Sequence, residues 1–384
     1  MDGTGLAEAL MRALTFRAGY NTGVAMAGAA ALGAAAGGVG AFLFLRARVM
    51  AADAVGHATL PGVVLAFILA EALGAEGRAL PGLLAGAAVT GILGMVAVEA
   101  LTRNTRLAPD AAIAIALSVF YAVGVVLLSW VQTLPKASQG GLESFILGQA
   151  AALSAAEAAG LATAALLALG VLLALFRPLA MLCFDEAHAR TGGLPAAPLD
   201  AVLLGLGVLV TVLGLQTVGL VLVVALLILP AVAARFWSER LAGIFRLSVA
   251  FGAGGAFLGA AASSVWPRVP TGASIVLALG LVFAASLLAA PQRGLVAEAM
   301  RRVRAGWRLR AARALQAGRG YPGAGLFGWR RAGQPTARGA AAVARLELWD
   351  HCLAEAPEML PAGLAWGIDP LPPDALALLR DRDR

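Results

Sequence analysis

Charge, cysteine and histidine are all scarce in this chain. Of its 384 residues, 13% are Asp, Glu, Lys or Arg, two are cysteine and three are histidine. A soluble domain carries about a quarter of its residues charged, so 13% charge beside 60% hydrophobic residues excludes that class. The two cysteines, Cys183 and Cys352, are too few for a thiolate cluster, and both fall in stretches that read as cytoplasmic, where disulfides do not persist. Three tyrosines among long Ala, Leu, Val and Gly runs argue against a β-barrel, whose strands alternate in units of roughly ten residues. The chain has no Gly-x-x-x-x-Gly-Lys-Ser/Thr loop and no nucleophile–base constellation. It is therefore read as no enzyme, with no permanently bound cofactor, and any energy from ATP has to come from another chain. Residues 1–18 lack a cleavable apolar core and read as a short amphipathic lead-in, with no signal peptide.

What is abundant is apolar helix. The mean hydropathy of +0.84 and the length of the apolar runs predict an all-α, polytopic membrane protein. Nine spans are expected, near 22–45, from the Asp53 stretch to 73, and near 80–101, 110–130, 153–176, 199–214, 217–235, 244–262 and 273–290. Each is close to the ~20 residues that a ~30 Å hydrocarbon layer requires. The 47 glycines suit helices packed through small residues, as in Gly33-x-x-x-Gly37, Gly82-x-x-x-Gly86 and Gly255-x-x-x-Gly259. Pro230, inside the seventh span, should bend it. Residues 142–152 are apolar but too short to cross.

Basic residues alternate with the spans. Arg46, Arg48, Arg103, Arg106, Arg177, Arg190, Arg235, Arg240 and Arg246 fall in one set of loops, against Arg78, Lys136 and Arg268 in the other. The positive-inside rule then puts the N-terminus outside and the C-terminus in the cytoplasm. A membrane domain over 1–295 and a small cytoplasmic extension over 296–384 follow. Arg301 to Arg313 read as a basic helix running along an anionic lipid surface, and no nucleic acid is expected as a partner. From Leu346 the balance turns acidic.

The stretch Asp53-Ala-Val-Gly-His57-Ala-Thr-Leu-Pro61-Gly62 stands out. A carboxylate and an imidazole four residues apart share one face of a helix and can reach one metal ion. Pro61 has no N–H, so if the helix runs through it the carbonyl of His57 loses its usual donor and is available as a third ligand beside the carboxylate oxygen and the ring nitrogen. An ionisable group inside a membrane segment costs about 2.5–3.5 kcal/mol on insertion scales and calls for a partner or a cavity. The alternative is a polar helix start beside Arg46 and Arg48. A second polar stretch, Phe184 to Pro195, reads as a short helix opened by Asp185 and Glu186 and ended by Gly192 and Gly193. Such a helix can dock a membrane subunit onto a motor subunit, or be an ordinary loop; His188 beside Asp185 is read as solvated. Glu99 and Asp110 are expected to pair with Arg103 and Arg106, Gln216 and Thr217 to cap a tight turn, and Pro61 and Pro230 to be hinges or simple bends.

Five segments in order then carry a family likeness. They are Asp53 to Gly62, Arg103-Asn-Thr-Arg-Leu-Ala-Pro-Asp110, Phe145-Ile-Leu-Gly148, Phe184-Asp-x-x-x-Ala-x-x-x-Gly193, and Val218 through Pro230-Ala. Over residues 20–295 the chain resembles the permease subunit of the manganese/zinc/iron ABC importers. It departs at Gly56, where relatives often carry Ser. The resemblance implies cytoplasmic ATP-binding subunits, an extracytoplasmic metal-binding protein, a second permease copy or related permease, and a place in the bacterial cytoplasmic (inner) membrane. It further implies that Asp53 and His57 line the path of a transported Mn, Zn or Fe ion, and that Asp185, Glu186, Gly192 and Gly193 belong to the segment coupled to the ATPase. Residues 335–349 faintly resemble part of a metal-responsive regulator module. A secondary transporter, a membrane-anchored sensor and a permease for a metal chelate are the other readings. Because only neutral imidazole ligates, uptake through His57 should fall in acid.

Overall fold

A computed structural model of the protein describes residues 19–73, 80–133, 153–217, 219–266, 269–291 and 294–316, and a few residues between 330 and 346. The lead-in at 1–18, the segment 142–152 with its Phe145–Gly148 motif, Cys352, the acidic tail and most of 335–349 lie outside the described residues. Twelve helices are described: α1 (Tyr20–Leu45), α2 (Val49–Ala72), α3 (Leu80–Asn104), α4 (Pro109–Gln132), α5 (Ala155–Ala174), α6 (Phe176–Phe184), α7 (Glu186–Thr191), α8 (Ala196–Thr217), α9 (Leu220–Trp237), α10 (Leu241–Val265), α11 (Thr271–Ala289) and α12 (Leu295–Gln316). Among the described residues eight are long and apolar enough to cross a membrane, namely α1 to α5, α8, α10 and α11. The shorter apolar helix Val223–Trp237, within α9, makes a ninth, in keeping with the expected architecture. It runs on through Pro230.

Local chemistry sets the helix ends. Ser154 and Glu157 form a reciprocal capping box that opens α5. Pro109 and Asp110 occupy the first turn of α4, so Asp110 sits at the positive end of a helix instead of pairing with Arg103 or Arg106 as expected. Gly219, at φ +88°, turns the chain between α8 and α9 with almost no loop.

The chain divides into two compact units, one up to Leu287 and one from Leu288. In the first, α1 is central and packs against α10, α5, α9 and α8, while α2 packs against α3, α4 and α8. The core gathers Met26, Leu32, Phe42 and Leu43 of α1 with Leu203 of α8 and Leu226 and Leu227 of α9. Ala41, Ala234 and Ile244 meet, which brings the end of α9 and the start of α10 to the end of the bundle where α1 finishes. The second unit contains α12 and a pair of two-residue antiparallel strands, β1 (Arg330–Arg331) and β2 (Gln334–Pro335).

Two helix crossings depend on the missing glycine side chain. A Cβ on Gly252 of α10 would lie 2.1 Å from the carbonyl oxygen of Gly33 on α1, and the Ser248 hydroxyl donates to the Gly37 carbonyl at 2.7 Å. Gly62 of α2 and Gly86 of α3 meet in the same way, each backbone in the other's Cβ space. Gly82, by contrast, has nothing within 4 Å of its Cβ position. Forcing a methyl group into a packed crossing costs about 1–3 kcal/mol. Gly252→Ala is therefore expected to lower the thermal midpoint of the solubilised protein by several degrees, whereas Gly82→Ala leaves it unchanged or slightly raised; melting curves of the two variants side by side check this.

Candidate metal path and coupling segment

Asp53 and His57 lie one turn apart on α2, with His57 Nε2 3.6 Å from Asp53 Oδ1. That is too long for a hydrogen bond. With metal–ligand bonds near 2.1 Å, two donors 3.6 Å apart subtend an angle of about 110–120° at a shared ion, close to tetrahedral. Both side chains are partly exposed, 32% for Asp53 and 24% for His57. Around them the same helix is largely covered: Ala54, Ala58 and Pro61, on the same side, are buried. The other ring nitrogen, His57 Nδ1, is buried and has no hydrogen-bond partner. Nε2 is therefore the nitrogen turned toward Asp53. Tyr121 of α4 meets the imidazole edge to face, with ring centroids 5.2 Å apart and planes at 88°. Among the described residues no third His, Cys, Asp or Glu joins a cluster that could hold a metal ion. α2 continues through Pro61, which has no N–H for the His57 carbonyl. At Gly56 a Cβ would sit 3.5 Å from the Thr211 methyl, an ordinary contact, so space alone does not require glycine there.

The neighbouring arginines are engaged elsewhere. Arg46, the C-cap of α1, has a side chain only 8% exposed. Its Nε and Nη2 donate to the two carboxylate oxygens of Asp200 on α8, at 3.1 and 2.7 Å. Its Nη1 donates to the Leu182 carbonyl at 2.9 Å and to Glu186 of α7 at 3.1 Å. Arg48, the N-cap of α2, lies 3.4 Å from both Asp200 and Glu99, and Glu99 also pairs with Arg103 as expected. Ala47 between the two arginines takes φ +53°, a left-handed conformation uncommon for alanine. A cavity of about 470 Å³ opens beside this cluster, lined by Met95, Val96 and Glu99 of α3 and Pro198, Asp200 and Leu204 of α8.

The stretch after α6 forms the short helix the sequence predicts. Asp185 Oδ1 accepts from the His188 backbone N–H at 2.9 Å and so caps α7, which is what the Asp185–His188 spacing serves. Gly192 ends the helix, and Gly193 at φ +80° turns the chain so that Leu194 N–H reaches the Ala189 carbonyl. The hydrogen bond from Arg46 holds the Glu186 carboxyl below its ordinary value of 4.5, with Arg190 adding to the effect. A depressed carboxyl stabilises the fold above its unfolded value, and that contribution is lost only as pH falls through the lowered one. For Arg46, burial acts to lower the guanidinium and the Asp200 and Glu186 contacts to raise it, with a net rise. Burial pushes the Cys183 thiol up to about 11, which keeps it neutral and unsuited to metal.

Arg46, Asp200 and Tyr121 were not singled out by motif. Asp200 carried a usable signal, a carboxylate inside a predicted span, but its partner is 154 residues away in the chain.

Comparison with known proteins bears on the same helices. The ABC 3 transport family matches residues 20–290. The manganese transport system membrane protein MntC of Bacillus subtilis is 37% identical over 284 residues, covering 74% of this chain and 64% of its own length, just under two thirds. The zinc transport system membrane protein TroC of Treponema pallidum is 37% identical over 273 residues, 71% of this chain and 90% of its own. The solved structure of PsaBC from Streptococcus pneumoniae in complex with Fab superposes with a TM-score of 0.63 at 30% identity, covering 75% of this chain and 97% of that one. With nine apolar helices in that arrangement, the chain belongs to the ABC 3 transport family and is a membrane-spanning permease of the metal ABC transporters.

Proposed function

We propose that the chain forms the membrane path through which a divalent transition-metal ion, Mn, Zn or Fe, is imported by alternating access, with Asp53 and His57 as its ligands in transit. The observation that carries this is the isolation of the pair. Arg46 and Arg48 are occupied by Asp200, Glu186 and Glu99, and among the described residues the one ion-pair partner within 4 Å of Asp53 is His57. A partly exposed carboxylate on a membrane helix cannot face lipid without a large cost, and an arriving cation offsets that cost. The mixed oxygen and nitrogen donors suit Mn, Zn or Fe. Relatives named for manganese and zinc transport support the same class of cargo. Two protein ligands, completed by water, a carbonyl or a second copy, hold an ion weakly enough to release it.

In this reading a second permease copy or a related permease covers the exposed parts of Asp53 and His57, which keeps them from lipid. Cytoplasmic ATP-binding subunits hydrolyse ATP and dock on the segment with Asp185, Glu186, Gly192 and Gly193, and an extracytoplasmic binding protein delivers the ion. The chain sits in the bacterial inner membrane with its C-terminus in the cytoplasm, and Pro61 and Pro230 are the hinges of α2 and α9. Glu186 reaches Arg46, and Asp200 joins Arg46 to Arg48, the cap of α2, so the docking segment and the metal helix share one charge cluster.

Removing a metal ligand costs at least about tenfold in metal affinity. Asp53→Ala and His57→Ala are each expected to reduce accumulation of the cognate metal by about that factor or more in cells also making the ATPase and binding protein, at matched membrane levels. Uptake at the wild-type rate in both variants would sink the transit-site reading.

Asp200→Asn removes one charge from a mostly buried pair and should destabilise the solubilised protein by about 1–3 kcal/mol. Combining Arg46→Met with Asp200→Leu should recover part of that loss, since no buried charge is left unpaired, while uptake stays low because Glu186 is no longer tied to the start of α2. A double-variant cycle in thermal midpoint, with uptake measured in parallel, tests both statements.

A further inference from the structure

We propose that α12 is an interfacial helix that binds the anionic phospholipid surface of the membrane beside which it emerges. It is independent of the transport reading and needs only that α11 spans the bilayer. Over Leu295–Gln316 the sequence has six arginines and one glutamate, Glu298. Five large apolar side chains nonetheless stand in the open: Leu295 at the very start of the helix, and Val296, Met300, Val303 and Trp307, 45–58% exposed. The last four follow one another along the helix. Their steps of four, three and four residues put them on one helical face. Arg304 and Arg310 fall on the two flanks of that face at 100° per residue, where long side chains can lay their stems on apolar surface and hold their charges outward.

The start of α12 is tied to the two residues that follow α11. Gly294 N–H bonds the Ala290 carbonyl at 2.9 Å, and Arg301 Nη1 donates to the Pro291 carbonyl at 3.3 Å. A Cβ on Gly294 would lie 2.4 Å from the Ala290 oxygen, so the close approach there depends on glycine. Glu298 is engaged by Arg301 and Arg302, which removes the helix's one negative side chain from its outer charge pattern.

A nucleic acid would engage the arginines and leave Val296, Met300, Val303 and Trp307 in water. A bilayer surface satisfies both halves. The apolar face enters the headgroup–acyl boundary and the guanidinium groups meet lipid phosphates, with Trp307 at the depth that indole favours. At 22 residues the helix would lie along about 33 Å of that surface.

The test uses the full chain, with Cys183→Ala and Cys352→Ser, carrying a nitroxide at Val303→Cys or, on the opposite face, at Arg308→Cys. The protein is placed in nanodiscs of phosphatidylcholine alone or of phosphatidylcholine with phosphatidylglycerol. With phosphatidylglycerol present, the label at 303 should collide with oxygen several-fold more often than with a water-soluble nickel chelate, and the label at 308 should show the reverse. That preference at 303 should shrink in phosphatidylcholine alone or at high salt, and Arg304→Ser with Arg310→Ser should abolish its dependence on phosphatidylglycerol. Free access of the nickel chelate to position 303 in the anionic nanodiscs overturns the proposal. So does protection of 303 from both reagents whatever the lipid, which would mean that protein covers the face.

Discussion

An arginine almost shut off from solvent has to be surrounded by acceptors, and Arg46 is the point from which the architecture at this end of the bundle follows. Its guanidinium is satisfied from three separate elements: the carboxylate of Asp200 on α8, the last turn of α6 through Leu182, and α7 through Glu186. Each contact is charge-assisted, and a bidentate Arg–carboxylate pair specifies orientation as well as energy. Once these elements are pinned, the turn from α1 to α2 has little choice. It passes through Ala47 in a left-handed conformation, and Arg48 closes the cluster onto Asp200 and Glu99. Strain at one alanine is tolerated because the charges on either side over-determine the turn.

From that anchor, α2 carries Asp53 five residues past Arg48 and His57 one turn further, and the rest of its length is fixed by close packing. Gly62 against Gly86 holds α2 to α3, and Gly33 and Gly37 hold α1 to α10. In a membrane the apolar effect does little to join one helix to another, so van der Waals contact through small residues takes its place. The bundle thus combines a polar clamp at one end with dry, side-chain-free crossings along its length. Between them an acid–imidazole pair is left partly exposed, beside the ring of Tyr121.

Much of this was legible from the chain because its signals are local. A run of twenty apolar residues declares a span wherever it lies. The i,i+4 spacing of Asp53 and His57, and the cap and glycine turn around α7, are likewise contained within one or two helical turns. Asp110 departs from the expected pairing for the same local reason. Two arginines stand close in sequence, but the first turn of α4 offers the carboxylate a helix end. The glycine pairs were read correctly as packing faces in α1 and α10, while Gly82 proved to face open space, since the motif names a small surface without naming what approaches it.

Hydropathy, helix caps and side-chain spacing belong to the amino-acid sequence alone, because each depends on neighbours within about a turn, and together they set the number of spans, their succession and the acid–imidazole pair. The partner of Asp200, the burial of Arg46, the ring that meets His57 and the choice of which glycines touch belong to the tertiary structure. Each joins helices that are far apart in the chain, Arg46 and Asp200 by 154 residues, and a contact of that kind exists only once the intervening helices have packed.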